Sequence, residues 1–349
     1  MNLRGEYLIF RADASTQIGS GHLMRCLALA QAWKEKGGEV SLITACQNAG
    51  LLQRFSDEKC IIHLIPQAYP ALSDWDNVKN ILNSYPGAWV VLDGYHFDET
   101  YQKCIKVTEH KLLVIDDMAH LRHYYADIVL NQNLQAERFQ YSCEPYTCLL
   151  LGMKYVLLRR EFIDWVNNKT EIPAIARRVL VTMGGSDSEN YTLKVIQALQ
   201  KVEIPGLEAT VVVGASNINA DILEATAKRS RIPIHLIRDA RDMPKLMAWA
   251  DVAVSAGGST CWELAFMGLP SIILVIADNQ KANSEALRDT RMALVLDITS
   301  GVTKIRLLLQ ELLQNRELRK NMSQVAGTAV DRLGAQRIVA HMMTNVDFA

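Results

Sequence analysis

The residues best suited to chemistry lie near the start of the chain, where a histidine follows a glycine-rich segment. Residues 18–25 read IGSGHLMR, which places His22 directly after Gly21, and Asp13 precedes the segment. Imidazole titrates near neutral pH, so His22 could accept a proton from a bound water molecule as a general base. Asp13 could orient that imidazole or hold a sugar hydroxyl. We predict a catalytic site that contains His22 and Asp13.

Other interpretations of this loop have to be weighed. A dinucleotide-binding loop of the G-x-G-x-x-G type would need glycine or alanine where Met24 stands. It would also need an acidic residue at the end of the second strand, where residues 43–45 read ITA. The histidine could instead cap the following helix without taking part in chemistry. The dinucleotide interpretation is therefore disfavoured, while the catalytic and capping interpretations stay open.

More polar residues of the N-terminal half follow strand-like runs. Residues 93–96 read DGYH and residues 116–117 read DD, each after an apolar run. In a parallel sheet these strand ends share one edge with His22. The carboxylates could bind hydroxyl or acetamido groups, whereas Asp116 and Asp117 could equally form turns or caps. The residues predicted to bind a sugar or to support its binding in this half are Arg11, Gly21, Arg25 and Tyr95.

A second glycine-rich loop lies in the other half of the chain and suits a diphosphate. Residues 255–263 read SAGGSTCWE after the apolar run at 252–254. Glycines let the backbone approach a ligand, and N–H groups at the start of a helix capped by serine or threonine attract anions. One turn later, a glutamate could accept bonds from two ribose hydroxyls. The predicted nucleotide-binding residues are Gly257, Gly258, Ser259, Thr260 and Glu263, with a structural turn and an exposed glutamate as the alternative.

Two more loops of the C-terminal half carry candidate ligand contacts. Residues 277–283 read ADNQKAN, so Asn279 and Asn283 fall one helical turn apart and could both present amides to a sugar. Helix capping by residue 278 or 279 explains part of this pattern equally well. Residues 183–187 read MGGSD and could touch a diphosphate. The predicted sugar contacts or supporting residues here are Gly185, Asn279, Gln280 and Asn283.

Alternating strand-like and helical patterns must position these loops. Short β-branched runs alternate with helical patterns from residue 7 to about 151, and the alternation begins again at residue 178. This predicts an α/β fold of two doubly wound, Rossmann-like domains with a cleft between them. Polar residues and chain breakers, including 167–169, indicate a linker within 159–176. We predict an N-terminal domain at 1–158, a C-terminal domain at 170–335, a helical pattern over 321–343, and a final segment, 336–349, that packs back on the N-terminal domain.

The composition disfavours several function classes. The 349 residues include 37 basic and 38 acidic ones, so a net charge of −1 gives no field that favours nucleic acid or an anionic membrane. Seven cysteines without a C-x-x-C pair argue against a secreted disulfide framework. His120 and His123 lack the neighbouring ligands of a metal site and are expected in an exposed loop. We therefore expect a cytoplasmic monomer with no metal, no cofactor, no nucleic acid partner and no stable membrane association.

Four motifs resemble one enzyme family over nearly the whole chain. They are residues 10–13 with 18–27, residues 181–187, residues 257–263 and residues 278–283. They resemble the UDP-sugar hydrolases of pseudaminic acid biosynthesis. The last three motifs also resemble GT-B glycosyltransferases, such as the lipid-intermediate N-acetylglucosaminyltransferase of peptidoglycan synthesis. The first motif, which contains His22, is the one specific to the hydrolases.

The resemblance implies a GT-B fold and metal-independent cleavage of the anomeric carbon–oxygen bond of a UDP-linked diacetamido-trideoxy hexose, with water as acceptor. It makes His22 the residue that positions or activates that water. Glu263 becomes the ribose-binding acid and residues 257–260 the diphosphate loop. Either Asn279 or Asn283 supplies an amide on the sugar side.

Two alternative functions stay open beside the hydrolase, a glycosyltransferase and a non-catalytic sensor. A glycosyltransferase would use the same UDP-sugar but would offer a sugar, lipid or peptide acceptor to the base. An enzyme with a lipid acceptor usually needs a basic and apolar surface for the membrane, which the sequence does not show. A non-catalytic sensor would keep the nucleotide loop but would have no need of His22. The sequence therefore favours the hydrolase, with a UDP-sugar as the predicted partner.

Overall fold

The chain divides into two compact units, which are described separately. The structure is a computed structural model and describes residues 2–165, 171–297, 299 and 301–344. One unit contains the chain up to Arg160 and again from Arg332, and the other contains Glu161–Asp331. Residues 167–169 of the predicted linker lie outside the described residues, as do those of the C-terminal segment after 344. The domain boundaries drawn from the sequence stay predictions.

In the described part of the first unit, the strands form one parallel sheet. Their order is β3-β2-β1-β4-β5-β6-β7, and β1 pairs in parallel with both β2 and β4. The strands are β1 (Tyr7–Ala12), β2 (Glu39–Thr44), β3 (Ile61–Leu64), β4 (Trp89–Asp93), β5 (Lys111–Ile115), β6 (Ile128–Asn131) and β7 (Cys148–Leu151). All five residues of β4 are buried, as expected for a central strand covered on both faces.

Helices cover both faces of this sheet. The first four are α1 (Gly21–Glu35), α2 (Ala49–Asp57), α3 (Leu72–Leu82) and α4 (Glu99–Val107). Helix α1 lies in the core of one face, where Leu23 and Trp33 are buried with residues of β1 and β2. On the other face, Val78 of α3 and Ile105 of α4 pack with the alternate strand residues. The near-complete burial of α1 explains its almost uninterrupted apolar sequence.

The second unit repeats the same design. Its parallel sheet has the strand order β10-β9-β8-β11-β12-β13. The elements, in chain order, are α5 (Arg160–Ile163), which begins in the first unit, β8 (Arg178–Thr182), α6 (Tyr191–Leu199), β9 (Glu208–Val213), α7 (Ala220–Lys228), β10 (Ile234–Arg238), α8 (Met243–Trp249), β11 (Val252–Ala256), α9 (Thr260–Phe266), β12 (Ser271–Val275), α10 (Lys281–Asp289), β13 (Leu294–Asp297), α11 (Gly301–Gln314) and α12 (Arg316–Ala329).

The helical pattern predicted at 321–343 is divided between two helices. Helix α12 ends at Ala329, and α13 (Gly334–Thr344) follows after a short break. Helix α13 packs on α1 of the first unit, with Ile338 and Met342 fully buried in its core. A Cβ on Gly334 would lie 2.1 Å from the carbonyl oxygen of Val156, so the chain must approach the first unit with glycine at this point. The break is where the chain returns to that unit.

The predicted α/β fold class is confirmed in each unit. In both sheets the strand order reverses beside the first strand, between β1 and β4 and between β8 and β11. Loops at such a reversal diverge to opposite faces and leave a crevice at the carboxyl edge, where ligands of doubly wound proteins bind. Among the helices of the described residues, none combines the length and the apolar character needed to cross a membrane.

Candidate active site

The loop after β1 and the end of β4 come together at the reversal point of the first sheet. Ala12 is paired with Asp93 in the register of these strands. Helix α1 begins at Gly21, so His22 stands in its first turn beside the end of β4. The turn that leads there closes through a hydrogen bond from the Gly19 N–H to the Ser15 carbonyl, and Gly19 has a φ of +78° that favours glycine. Local chain geometry thus brings His22 to Asp93.

Asp93 holds the imidazole of His22. The distance from His22 Nδ1 to Asp93 Oδ1 is 2.6 Å. Arg25 donates to the same carboxylate from Nη2 at 2.6 Å and from Nε at 2.7 Å. Burial by itself would raise the pKa of Asp93, but the charge of Arg25 and the hydrogen bonds from Arg25 and His22 hold that pKa far below its usual range. Asp93 is therefore an ionised acceptor, and Nδ1 of the ring carries the hydrogen.

This arrangement leaves Nε2 as the reactive nitrogen of His22. No described residue forms a hydrogen bond with Nε2, and the residue is 9% exposed. With Nδ1 protonated, the neutral ring has its lone pair on Nε2, which is the state a general base needs. The ring does not cap α1, because its Nδ1 is bonded to Asp93 instead of a backbone group. The capping interpretation of this histidine is therefore wrong.

Asp13 does not orient His22, which corrects one of the sequence-based expectations. Its carboxylate accepts hydrogen bonds from Arg11 Nη1 at 2.7 Å and from the Ala45 N–H, also at 2.7 Å. The Nε2 atom of His96 lies 3.3 Å from Asp13 Oδ2. Burial would raise the pKa of Asp13, but the bond from His96 and the charge of Arg11 lower it to about 2. Since Ala45 follows β2, Asp13 is held at the side of β1 away from the His22–Asp93 pair.

Arg11 supports the site from inside the core. It is fully buried. Its Nη2 donates to Asp74 Oδ1 at 2.5 Å, and Tyr101 Oη donates to the other oxygen of Asp74, also at 2.5 Å. The guanidinium carbon lies 5.0 Å from the centre of the Phe97 ring. Arg11 thus fixes Asp13 in place and has no surface for a ligand, which makes it a supporting residue.

Tyr95 belongs to the group of side chains around His22. Its hydroxyl donates to Asp117 Oδ2 at 2.6 Å, and Arg25 Nη1 donates to that same oxygen at 2.6 Å. The Tyr95 ring meets the His22 ring edge-on, with centroids 5.2 Å apart. We call His22, Arg25, Asp93, Tyr95 and Asp117 the His22 cluster. Arg25, at 6% exposure, links the two carboxylates of this cluster and supports its geometry.

Asp116 and Asp117 have different partners, since Asp117 binds Arg25 and Tyr95 whereas Asp116 binds within its own loop. Asp116 accepts from the Met118 N–H at 2.7 Å and from the Tyr124 hydroxyl, so it organises the turn after β5. Asp116 also binds His120 Nδ1 at 2.8 Å, a bond that raises the pKa of His120. The His120 side chain is 24% exposed, and its ring centroid lies 5.8 Å from that of Tyr95. The loop of His120 is thus packed beside the His22 cluster.

In the second unit, the glycine loop follows β11 at the reversal point. We use this name for residues 257–260. A Cβ on Gly257 would lie 2.7 Å from Ser284 Oγ, whereas a Cβ on Gly258 would meet no atom within 4 Å. Gln280 Oε1 accepts hydrogen bonds from the Gly257 N–H at 3.2 Å and from the Ile276 N–H at 3.0 Å. Gln280 therefore supports the loop from behind, while Gly258 leaves its outer side open.

The start of α9 lacks the predicted side-chain cap. Ser259 holds the N-cap position of α9 (Thr260–Phe266), but no capping hydrogen bond from a side chain is present in this described segment. Backbone bonds of the 3-10 type join the Cys261 N–H to the Gly258 carbonyl and the Trp262 N–H to the Ser259 carbonyl. Glu263 is half-buried in the first turn. Residues 257–260 and Glu263 thus lie together at one edge of the second sheet.

The two asparagines of the next loop are not equivalent. Asn279 is exposed in the turn before α10, whereas Asn283 is 7% exposed. Its Oδ1 has no hydrogen-bond partner in the described chain, and the same holds for Ser284 Oγ. The expectation that the two amides share one presented face is therefore wrong. Asn283 is instead buried, with an acceptor still unsatisfied.

The loop after β8 is held by the Asp187 side chain and by contact with the backbone after β9. Asp187 accepts from the Tyr191 N–H at 2.7 Å and from the Thr192 N–H at 3.0 Å, two groups in the first turn of α6, whose N-cap is Asn190. The Gly185 carbonyl accepts from the Ser216 N–H at 3.1 Å. A Cβ on Gly214 would lie 2.3 Å from that carbonyl oxygen, so the two backbones are in close contact. Gly185 is half-buried and stands at the same carboxyl edge as the glycine loop.

The sequence missed the contacts that cross between strands. Asp93 was seen only as a polar residue at a strand end, although it is the direct partner of both His22 and Arg25. The bond of His96 to Asp13 was also missed. One signal could have found them, because a doubly wound order places the first and fourth strands side by side. Residues just after those two strands must then be neighbours.

Comparison with known proteins agrees with this architecture. Residues 178–338 match the glycosyltransferase family 28 C-terminal domain. Among solved structures, MurG of Acinetobacter baumannii aligns with a TM-score of 0.66 and 16% identity over 97% of this chain and 99% of that one. A putative UDP-N-acetylglucosamine 2-epimerase from Listeria monocytogenes aligns with a TM-score of 0.68 and 14% identity over 100% and 98%. At such identities the likeness concerns the fold.

Curated relatives extend over most of the sequence. One is the UDP-2,4-diacetamido-2,4,6-trideoxy-beta-L-altropyranose hydrolase of Campylobacter jejuni, 27% identical over 79% of this chain and 94% of the relative. The spore coat polysaccharide biosynthesis protein SpsG of Bacillus subtilis is 24% identical over 94% and 95%. Uncharacterized protein MJ1062 of Methanocaldococcus jannaschii is 28% identical over 75% of this chain, which spans only 54% of that relative's length. The chain is therefore a GT-B-fold relative of the UDP-2,4-diacetamido-2,4,6-trideoxy-beta-L-altropyranose hydrolases.

Proposed function

We propose that this protein hydrolyses a UDP-linked diacetamido-trideoxy hexose to UDP and the free sugar. The observation that carries the proposal is the 2.6 Å bond between His22 Nδ1 and Asp93. It fixes the ring and leaves Nε2 to accept a proton. The similarity to the Campylobacter jejuni hydrolase supplies the substrate class.

The proposed step uses water as the nucleophile. Nε2 of His22 accepts one proton of a water molecule as the water oxygen bonds to the anomeric carbon. The bond from that carbon to the phosphate oxygen breaks, and its electron pair leaves with UDP. Attack opposite the leaving group inverts the anomeric configuration. Asp93 remains ionised and stabilises the imidazolium that forms, since its pKa is held far below neutrality.

The second unit is proposed to hold the UDP part of the substrate. The open side of Gly258 lets a diphosphate reach backbone N–H groups. Glu263, half-buried in the same turn, is the proposed acceptor for ribose hydroxyls. Asn279 is exposed in the following loop and is the better candidate for a sugar contact, whereas Asn283 is buried. The proposed site needs no metal, and an assay in a chelator tests that part.

A glycosyltransferase is the alternative that one finding favours. Residues 178–338, which include most of the second unit, match the glycosyltransferase family 28 C-terminal domain. In that case Nε2 of His22 would deprotonate an acceptor hydroxyl instead of water. Purified protein incubated with the UDP-sugar alone separates the two functions. Release of UDP and free sugar without an acceptor supports the hydrolase, and NMR identifies which anomer appears first.

A variant of His22 tests the catalytic assignment. His22→Asn keeps an amide N–H for Asp93 but has no base, so we expect kcat to fall by about 10²-fold or more with UDP affinity unchanged. His235→Asn, on the exposed edge of β10, is the matched control and should keep full activity. Turnover by His22→Asn close to that of the parent protein contradicts the assignment.

A further inference from the structure

Two carboxylate–imidazole pairs lie at the reversal point of the first sheet, and each joins the end of one strand to the loop that follows the other. The carboxylate that ends β4, Asp93, holds the histidine that follows β1, His22. The carboxylate that follows β1, Asp13, holds the histidine that follows β4, His96. The His22–Asp93 pair has a place in the proposed reaction. The His96–Asp13 pair has no place in that reaction, although His96 lies in the same loop as Tyr95.

His96 is held in one orientation by three neighbours. Its Nε2 lies 3.3 Å from Asp13 Oδ2, and Asp13 is in turn fixed by Arg11. Its ring packs on that of Phe97, with centroids 4.1 Å apart. Gly94 makes room for the ring, because a Cβ there would lie 2.6 Å from His96 Cε1 and 2.9 Å from Nδ1. Such a fixed ring resembles a binding group more than a mobile surface residue.

The two histidines present opposite nitrogens. Asp13 is ionised, since its pKa is lowered to about 2, so it accepts the hydrogen of His96 Nε2. The neutral ring then has its lone pair on Nδ1. No described residue bonds to Nδ1, and 21% of the side chain is exposed. A side chain at position 94 would lie against this nitrogen, and Gly94 has none. His96 therefore offers a hydrogen-bond acceptor, whereas His22 offers a base.

We propose that His96 is a sugar-binding residue whose Nδ1 accepts a hydrogen bond from the amide N–H of an acylamino substituent on the substrate. This proposal rests on the proposed function, since it assumes a UDP-linked acylamino sugar at this edge. An amide N–H is a donor only, and an imidazole nitrogen without hydrogen is its natural partner. A site with a buried or half-buried acceptor discriminates against analogues that cannot donate to it. His96 would thus select the acylamino sugar without taking part in proton transfer.

Two substitutions separate the nitrogens of His96. The amide oxygen of asparagine can occupy the position of Nδ1, whereas the amide of glutamine reaches the position of Nε2. His96→Gln should keep a donor for Asp13 and lose the acceptor. We expect its affinity for the UDP-diacetamido sugar to fall about 10-fold with affinity for UDP unchanged. Its KM should rise while kcat stays within about threefold, and His96→Asn should recover most of the loss.

A substrate analogue completes the experiment. Calorimetry measures the binding of the UDP-diacetamido sugar and of a UDP-hexose with hydroxyls in place of both acetamido groups. The parent protein should prefer the former, and His96→Gln should abolish most of that preference. If the preference is unchanged in His96→Gln, or if UDP affinity falls in parallel, the proposal is wrong. If that variant does not fold, the test is the binding of a UDP-sugar with N-methylated acetamido groups to the parent protein. This analogue lacks the N–H donor and should bind about 10-fold more weakly than the UDP-diacetamido sugar.

These readouts keep the two proposals apart. Binding is measured without turnover, so a protein that binds the acylamino sugar through His96 but releases no UDP refutes only the hydrolase. A protein that hydrolyses the substrate with the same KM in parent and His96→Gln refutes only the role of His96.

Discussion

The two units have the same strand order around their reversal points, yet the edges at those points are built from different groups. In the first unit, ionised side chains bind one another across strands, as Arg25 does with Asp93 and Asp117. In the second unit, glycines and main-chain groups dominate, and Gln280 supports the loop through the Gly257 N–H. The first edge is suited to holding a proton acceptor at a fixed point. The second is suited to contact with an anionic ligand through its backbone.

This difference has an energetic consequence. Buried charges in the first edge are each compensated by a specific partner, so the loss of one carboxylate leaves a buried cation short of its counter-charge. The glycine loop contains few such dependencies, and its packing relies on the absence of a side chain at Gly257. Substitutions should therefore damage the first edge through charge and the second through volume.

The largest effect is expected from Asp93→Ala. The variant removes the hydrogen-bond partner of His22. It also removes the carboxylate to which Arg25 donates from Nε and Nη2. Because both side chains stay buried, the free energy of unfolding of the first unit should fall by about 3 kcal/mol. Hydrogen exchange should show lost protection in β1, α1 and β4, with the second unit unchanged.

An exposed ion pair provides the control for that experiment. Lys228 and Glu224 form a pair on α7 whose side chains are 74% and 47% exposed. Lys228→Ala should not measurably change the protection of either unit. Equal exchange in parent and Asp93→Ala would show that the first edge does not depend on its charges, and the contrast between the units would fail.

A smaller, pH-dependent effect is expected from Asp13→Asn. Folding lowers the pKa of Asp13 from its ordinary 3.8 to about 2. The stability that this ionised carboxylate contributes is therefore present above pH 4 and disappears as the pH falls towards 2. The shift corresponds to about 2 kcal/mol. Urea unfolding at several pH values should show a gap between parent and variant that narrows over this range, and a constant gap would assign the loss to packing.

Much of this architecture could be predicted from the sequence. Apolar runs bounded by turn residues predicted the alternation of strands and helices in both halves of the chain, and the apolar run at 252–254 lies within β11. The glycine motifs gave the positions of both ligand edges, since a turn after a parallel strand must lie at the carboxyl edge of the sheet.

The pairing of side chains could not be predicted in the same way. His22 and Asp93 are 71 residues apart, and their contact depends on β1 lying beside β4. The choice of Asp93 over Asp13 as the partner of His22 is set by the side of β1 on which each carboxylate is held. Likewise, the burial of Asn283 depends on how α10 packs, which the spacing to Asn279 does not reveal. Periodicity specifies elements, whereas partners follow from packing.

The smallest effects should separate two adjacent glycines of the second edge. Gly257→Ala puts a Cβ 2.7 Å from Ser284 Oγ and 3.0 Å from Gln280 Cβ, so the variant should lose about 1 kcal/mol of stability in thermal unfolding. Gly258→Ala meets no atom within 4 Å and should unfold like the parent. Its methyl group would stand on the open side of the loop, so UDP should bind about 10-fold more weakly in calorimetry. If Gly258→Ala binds UDP normally, the diphosphate does not approach this face of the loop, and the division between a charged edge and a backbone edge loses its functional meaning.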